Sequence, residues 1–147
     1  LDGRDGGDIL AGGAGKDVLL GGAGIDTLRG GAGRDIMSGG ADADTFGFFF
    51  TSETGKTAKT RDVITDFNHA EGDKIDLSVI DAIKGTVGND PFHLTANSGL
   101  GGFTHSAGEL RIVSAKGGAI VSGDGDGKAD FSILVLGDHP ILGDFTL

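Results

Sequence analysis

Cysteine is absent, so neither disulfides nor thiolate metal sites can hold this chain together. Proline is nearly absent as well: two residues accompany thirty glycines among 147 positions, which excludes collagen and polyproline linkers and leaves glycine as punctuation at special backbone positions. Basic residues are in deficit. Twelve Lys and Arg against twenty-two Asp and Glu give a formal charge of −10, which repels a phosphate backbone and argues against a nucleic-acid partner. No apolar run approaches the ~20 residues of a membrane span, so no membrane insertion is expected. The opening Leu1-Asp2-Gly3, without an initiating Met or a signal-peptide pattern, reads as a fragment or a processed product.

Catalytic signatures are missing too. The four histidines, His69, His93, His105 and His139, are scattered, and none begins the HExxH of a zinc protease. There is no GxSxG elbow. Lys16 after Gly15 is followed by Asp17, not Ser or Thr, and no unit completes GxGxxG, so the glycines are not a phosphate cradle. The expectation is a non-catalytic chain.

What is present is a repeat. From Gly3 the chain divides into nine-residue units, GRDGGDILA, GGAGKDVLL, GGAGIDTLR, GGAGRDIMS and GGADADTFG. The sixth place is always a carboxylate (Asp8, Asp17, Asp26, Asp35, Asp44) and the eighth always a large apolar group (Leu10, Leu19, Leu28, Met37, Phe46). Glycine-rich hexapeptides turn sharply, because glycine takes positive φ without a Cβ penalty. The following residues form a short strand whose alternation points the eighth side chain inward. One unit cannot bury its single apolar residue, so two units make one coil and coils must stack. Stacking brings the Asp residues together, and that repulsion calls for a cation. Ca²⁺, which takes six to eight oxygens from carboxylates and carbonyls, suits the donor set better than Mg²⁺. The pattern GGxGxDxUx resembles the calcium-binding repeat of RTX proteins, and about three or four ions are expected along the stack. Arg4 and Asp5 in the first unit and Asp42 in the fifth depart from the pattern, as terminal caps do. Asp42 either adds a ligand or removes a carbonyl site.

Beyond Phe46 the repeat gives way to Phe48-Phe49-Phe50 and strand-like runs at 62–67, 74–77, 109–113, 119–121 and 131–136, with one short helix over 78–84. GGADADTF running into RDVITDF, then GDKIDLS, GELRI, GDGKADFSILVLG and a terminal DFTL together resemble the C-terminal domain of serralysin-family secreted metalloproteases. The resemblance implies an all-β chain with a Ca²⁺-loaded parallel β-roll over residues 1–47 and a mostly antiparallel, sandwich-like cap over 48–147. It also implies a type I export signal at the extreme C-terminus, an attached N-terminal catalytic domain, type I secretion machinery as partner, and an extracellular location.

The same resemblance implies Asp8, Asp17, Asp26, Asp35 and Asp44 as ligands, together with carbonyls of the turns at Gly13, Gly15, Gly22, Gly24, Gly31, Gly33, Gly40 and Asp42. Asp62, Asp66 and Asp73 follow the roll and either complete its last site or serve as solvated or capping carboxylates. Ser122, Asp124, Asp126 and Asp130 are spaced like the oxygen positions of an EF-hand loop, with Gly127 at the turn and Ile133 where the closing Glu belongs. A tight hairpin explains the same residues. A competing function is polysaccharide binding, as in the R-modules of mannuronan epimerases, for which Lys56, Lys59 and Arg61 form the one modest basic cluster; an adhesin or lipase tail is a third reading.

Overall fold

The computed structural model describes residues 1–80, 92–94, 108–124 and 129–147. The nonapeptides give six strands, β1 (Asp2–Asp5), β2 (Ile9–Gly15), β3 (Val18–Ala23), β4 (Thr27–Gly33), β5 (Ile36–Ala41) and β6 (Thr45–Gly47). They alternate between two sheets. β1, β3 and β5 pair in parallel in one, β2, β4 and β6 in the other, so each coil is two repeats and each residue lies beside its counterpart 18 positions on, as in Leu19↔Met37 and Leu10↔Leu28. The inward eighth residues close a continuous core in which Leu19, Leu28, Met37 and Phe46 are fully buried. β2 to β5 run to six or seven residues, because the first glycines of each turn still sit in the parallel ladder.

Parallel pairing does not stop with the repeat. β7 (Asp62–Phe67) pairs with β5 and β8 (Lys74–Asp76) with β6, placing Ile64 beside Met37 and Ile75 beside Phe46. The tripeptides Asp62-Val63-Ile64 and Asp73-Lys74-Ile75 thus act as the strand halves of two further units whose glycine turns are replaced by other chain. After β9 (His93–Leu94), β10 (Glu109–Ala115), β11 (Gly118–Asp124) and β12 (Ala129–Gly137) form an antiparallel meander. β12 then pairs in parallel with β7, so meander and roll share one eight-stranded sheet. A short 3₁₀ turn at Leu142–Asp144 leads to β13 (Phe145–Thr146), which pairs with β8 and closes the five-stranded sheet.

At the start of the expected helix, Ser78–Ile80 form a turn, with the Ser78 hydroxyl and N–H both donating to Asp76 Oδ1. Its remaining residues, 81–84, lie outside the described residues. Phe131, Ile133 and Val135 from β12 join Val121, Ile112 and Leu110 in the core that continues the roll interior.

Candidate metal centre

Each coil brings an Asp over the Asp of the coil before it. The N–H of Asp8 donates to Asp26 Oδ1 at 2.7 Å, that of Asp26 to Asp44 Oδ1 at 2.8 Å, and that of Asp44 to Asp73 Oδ1 at 2.9 Å. On the opposite edge the Asp17 N–H donates to Asp35 at 2.9 Å and that of Asp35 to Asp62 at 2.8 Å. Two ladders result, Asp8–Asp26–Asp44–Asp73 and Asp17–Asp35–Asp62. Asp26, Asp35, Asp44 and Asp62 are fully buried.

All but one of these carboxylates leave an oxygen unused. Oδ2 of Asp8, Asp17, Asp26, Asp35, Asp44 and Asp62 is buried with no hydrogen-bond partner among the described residues. An ionised carboxylate oxygen withdrawn from water without a partner costs several kcal/mol at least, and a recurrence in six places is an arrangement waiting for a cation. Each repeat Oδ2 lies over the first glycine of its own turn: a Cβ on Gly12 would stand 2.9 Å from Asp17 Oδ2, and on Gly3 2.7 Å from Asp8 Oδ2. Hydrogen there keeps the space beside the oxygen open.

The second and fourth glycines are held by the stack itself. Gly31 and Gly33 have φ of 93° and 144°, and a Cβ on either would collide with the carbonyl oxygen of Gly13 or Gly15 one coil below. Gly13, Gly15, Gly22, Gly24 and Gly40 share the positive φ. Arg4 and Asp42, the non-glycine residues at equivalent places, keep it too, each at 79°, so the terminal units depart in sequence and not in backbone. Asp42 is exposed, outside the ladders.

Among the described residues no three His, Asp or Glu side chains converge on one point. The ladders offer carboxylates in pairs, and a six- to eight-oxygen shell must be completed by carbonyls of the glycine turns, a hard-oxygen set that fits Ca²⁺. Electrostatics agree. Burial, outweighing the hydrogen bond from Asp26, pushes Asp44 up to about 6, with Asp73, Asp26 and Asp66 adding repulsion. Burial likewise pushes Asp62 up to about 7, reinforced by Asp35 and Glu53. Asp35 and Asp73 are raised for the same first reason.

The three carboxylates that follow the repeats part company. Asp62 extends a ladder with a free Oδ2. Asp73 extends the other, but its Oδ2 accepts the Asn68 N–H at 2.8 Å. Asp66 is a cap: its oxygens accept the Ser38 hydroxyl at 2.6 Å and the N–H groups of Gly39 and Gly40 at 3.1 and 3.0 Å. In the second loop, Asp124 is buried at the end of β11, Asp130 lies 3.6 Å from Lys56 Nζ, and Asp126 is outside the described residues.

Sequence reasoning missed the residues that brace the ladder. Thr54 Oγ1 accepts the Asp62 N–H at 2.8 Å and donates to the Ser132 carbonyl at 2.9 Å, tying ladder to β12. Glu53 is buried, held by Arg29 at 2.5 Å, while the Arg29 guanidinium stacks 4.0 Å over Phe49. The Asp-x-apolar triplets at 62–64 and 73–75 were the available signal for the extended ladder; nothing local marks Thr54 or Glu53.

The RTX calcium-binding nonapeptide repeat (4 copies) family model matches residues 2–26 and 11–46, so these turns are calcium-binding repeats. No curated protein sequence matches the chain. Among solved structures the fold is similar to the AlgE6R3 subunit from the Azotobacter vinelandii mannuronan C5-epimerase, with a TM-score of 0.56 and 25% identity over 98% of this chain and 80% of that one.

Proposed function

We propose that this chain is a non-catalytic module of a secreted protein, folded by extracellular Ca²⁺. The observation that carries the reading is the repeated buried Oδ2. Paired carboxylates bearing that oxygen face each other at Asp8/Asp26, Asp26/Asp44, Asp17/Asp35 and Asp35/Asp62, which makes about four ion sites, completed by carbonyls of the turns around Gly13, Gly15, Gly22, Gly24, Gly31, Gly33 and Gly40. Where Ca²⁺ is scarce the like charges oppose coil stacking and the chain stays open for passage through a type I channel; outside, binding energy becomes folding energy. The serralysin-like motifs support a metalloprotease domain as the attached partner, whose folding the finished roll would template.

Circular dichroism of the chain, titrated with Ca²⁺ and separately with Mg²⁺ alongside calorimetric stoichiometry, tests this. A cooperative, Ca²⁺-specific rise of β signal with several ions bound is expected. A fully folded spectrum in chelator, or an equal response to Mg²⁺, overturns calcium-driven folding.

A second reading, an accessory that holds an acidic polysaccharide for its parent enzyme, is favoured by the likeness to a mannuronan epimerase subunit and by a cationic edge on the roll. Binding of uronate oligomers by the folded chain separates it from the first.

A further inference from the structure

The fifth place of the nonapeptide distinguishes the two edges of the roll. In the odd units it holds Gly7, Ile25 and Ala43; in the even units it holds Lys16 and Arg34. Because counterparts 18 residues apart stack in parallel register, Val18 beside Ile36, the two cations sit one above the other at the strand spacing of ~4.8 Å. The chain between β6 and β7 folds back against this edge. Together they enclose an open cleft of about 530 Å³ lined by Gly15, Lys16, Gly33, Arg34, Lys59 and Thr60, with Ser52 and Gly55 completing the wall.

Among the described residues no acidic side chain lines the cleft. Lys16, Arg34 and Lys59 have no ion-pair partner among the described residues, whereas Arg29 is held by Glu53 and Lys56 lies 3.6 Å from Asp130. Three unpaired cations gathered in one groove of a chain with charge −10 make a local anion site. The ladder carboxylates Asp17, Asp35 and Asp62 belong to the same edge and oppose the three cations until Ca²⁺ neutralises them. Ca²⁺ cancels that opposing charge, so the anion site is most positive in the calcium-loaded protein. The groove has a glycine floor, hydroxyls in its wall and, among the described residues, no aromatic side chain to serve as a platform on which nucleic-acid bases could stack. Regularly spaced carboxylates on a hydroxyl-rich chain match it.

We infer that this cleft binds a carboxylated polysaccharide, and binds it only when the roll holds Ca²⁺. The inference rests on the second reading above and supplies its site.

The test uses the full chain in excess Ca²⁺, with mannuronate oligomers as probe, and a neutral oligosaccharide, a single-stranded DNA oligomer and polyglutamate as comparators. Backbone NMR shifts map the contact, and calorimetry measures affinity and ion stoichiometry in the wild type, in R34E, in R34E/K59E, and in K116E as an exposed control on the β10–β11 turn that matches R34E in charge. The expected result is shift changes at Lys16, Arg34, Lys59 and Thr60. R34E/K59E should weaken binding roughly tenfold or more, given two reversed surface charges, with ion stoichiometry unchanged and K116E near wild type. Calcium removal should abolish it. Preference for DNA or polyglutamate, shifts elsewhere, equal weakening by K116E, or no uronate binding by a chain that takes up Ca²⁺ overturns the cleft while leaving calcium-driven folding intact. Failure to take up Ca²⁺ at all overturns both.

Discussion

Asp62 lies outside the matched repeats, and replacing it with asparagine separates a calcium ligand from a structural cap. The amide side chain would keep an oxygen to accept the Asp35 N–H, now 2.8 Å from Oδ1, and would leave the Thr54 contact to the residue's own N–H untouched. What disappears is the charge on a buried carboxylate. Without Ca²⁺ that charge opposes coil stacking, since burial and Asp35 push Asp62 up to about 7, so Asp62→Asn should shift the calcium-free chain at pH 8 toward the folded state. With Ca²⁺ the sign reverses. One site contributes about 2.7 kcal/mol when free ion stands at about a hundred times its Kd. At about 2–4 °C per kcal/mol for a chain of this size, losing it should lower the calcium-loaded Tm by roughly 5–10 °C. Thermal unfolding in Ca²⁺, circular dichroism in chelator and calorimetric stoichiometry provide the assay. An unchanged ion count, or an unchanged calcium-loaded Tm, would refute the assignment of Asp62 as a ligand.

Asp66→Ala provides the contrast: three accepted hydrogen bonds vanish at the Gly39-Gly40 turn, costing about 1–3 kcal/mol in urea unfolding while the ion count stays the same. The raised Asp44 and Asp62 make the folded apo state bind more protons than the unfolded chain, so their contribution to apo stability is full below about pH 3.8 and is lost as pH rises through about 6 to 7. Over the same window Ca²⁺ affinity should climb, because the ligands must be ionised; circular dichroism of metal-stripped protein, whose β signal should fall as pH rises, and calorimetry between about pH 4 and 8 check both slopes. Gly33→Ala, forced to φ 144° against the Gly15 carbonyl, should cost about 2 kcal/mol or more, whereas Gly117→Ala, also at positive φ but in open space, should cost about 1 kcal/mol; thermal unfolding in Ca²⁺ ranks them. Leu28→Ala should lower stability by about 2–5 kcal/mol in urea unfolding, since Leu28 is fully buried between Leu10 and Phe46 in the ladder.

The nine-residue period was enough to place Asp8 through Asp44 on the turns and Leu10 through Phe46 inside, because both follow from local chemistry: glycine where φ must be positive, alternation within a strand, and an 18-residue coil that every unit repeats. The cation followed from the same register, since one carboxylate per turn cannot stack without one. Where the period ends, local signals ended too. Asp62, Asp66 and Asp73 look alike in sequence, yet one joins a ladder with a free oxygen, one caps a turn and one has its second oxygen taken by Asn68. That difference depends on how the segments 48–61 and 65–72 return the chain to the sheets, and on Thr54 and Ser132, which are 78 residues apart, holding β7 against β12. The cleft of Lys16, Arg34 and Lys59 has the same origin: the fifth-place alternation is written in the repeat, but only the excursion folded back over it makes a groove. Sequence by itself determined what each coil must be, because the coil is a local object repeated; tertiary structure decided how the roll ends and what faces its edges, because those contacts join residues with no shared period.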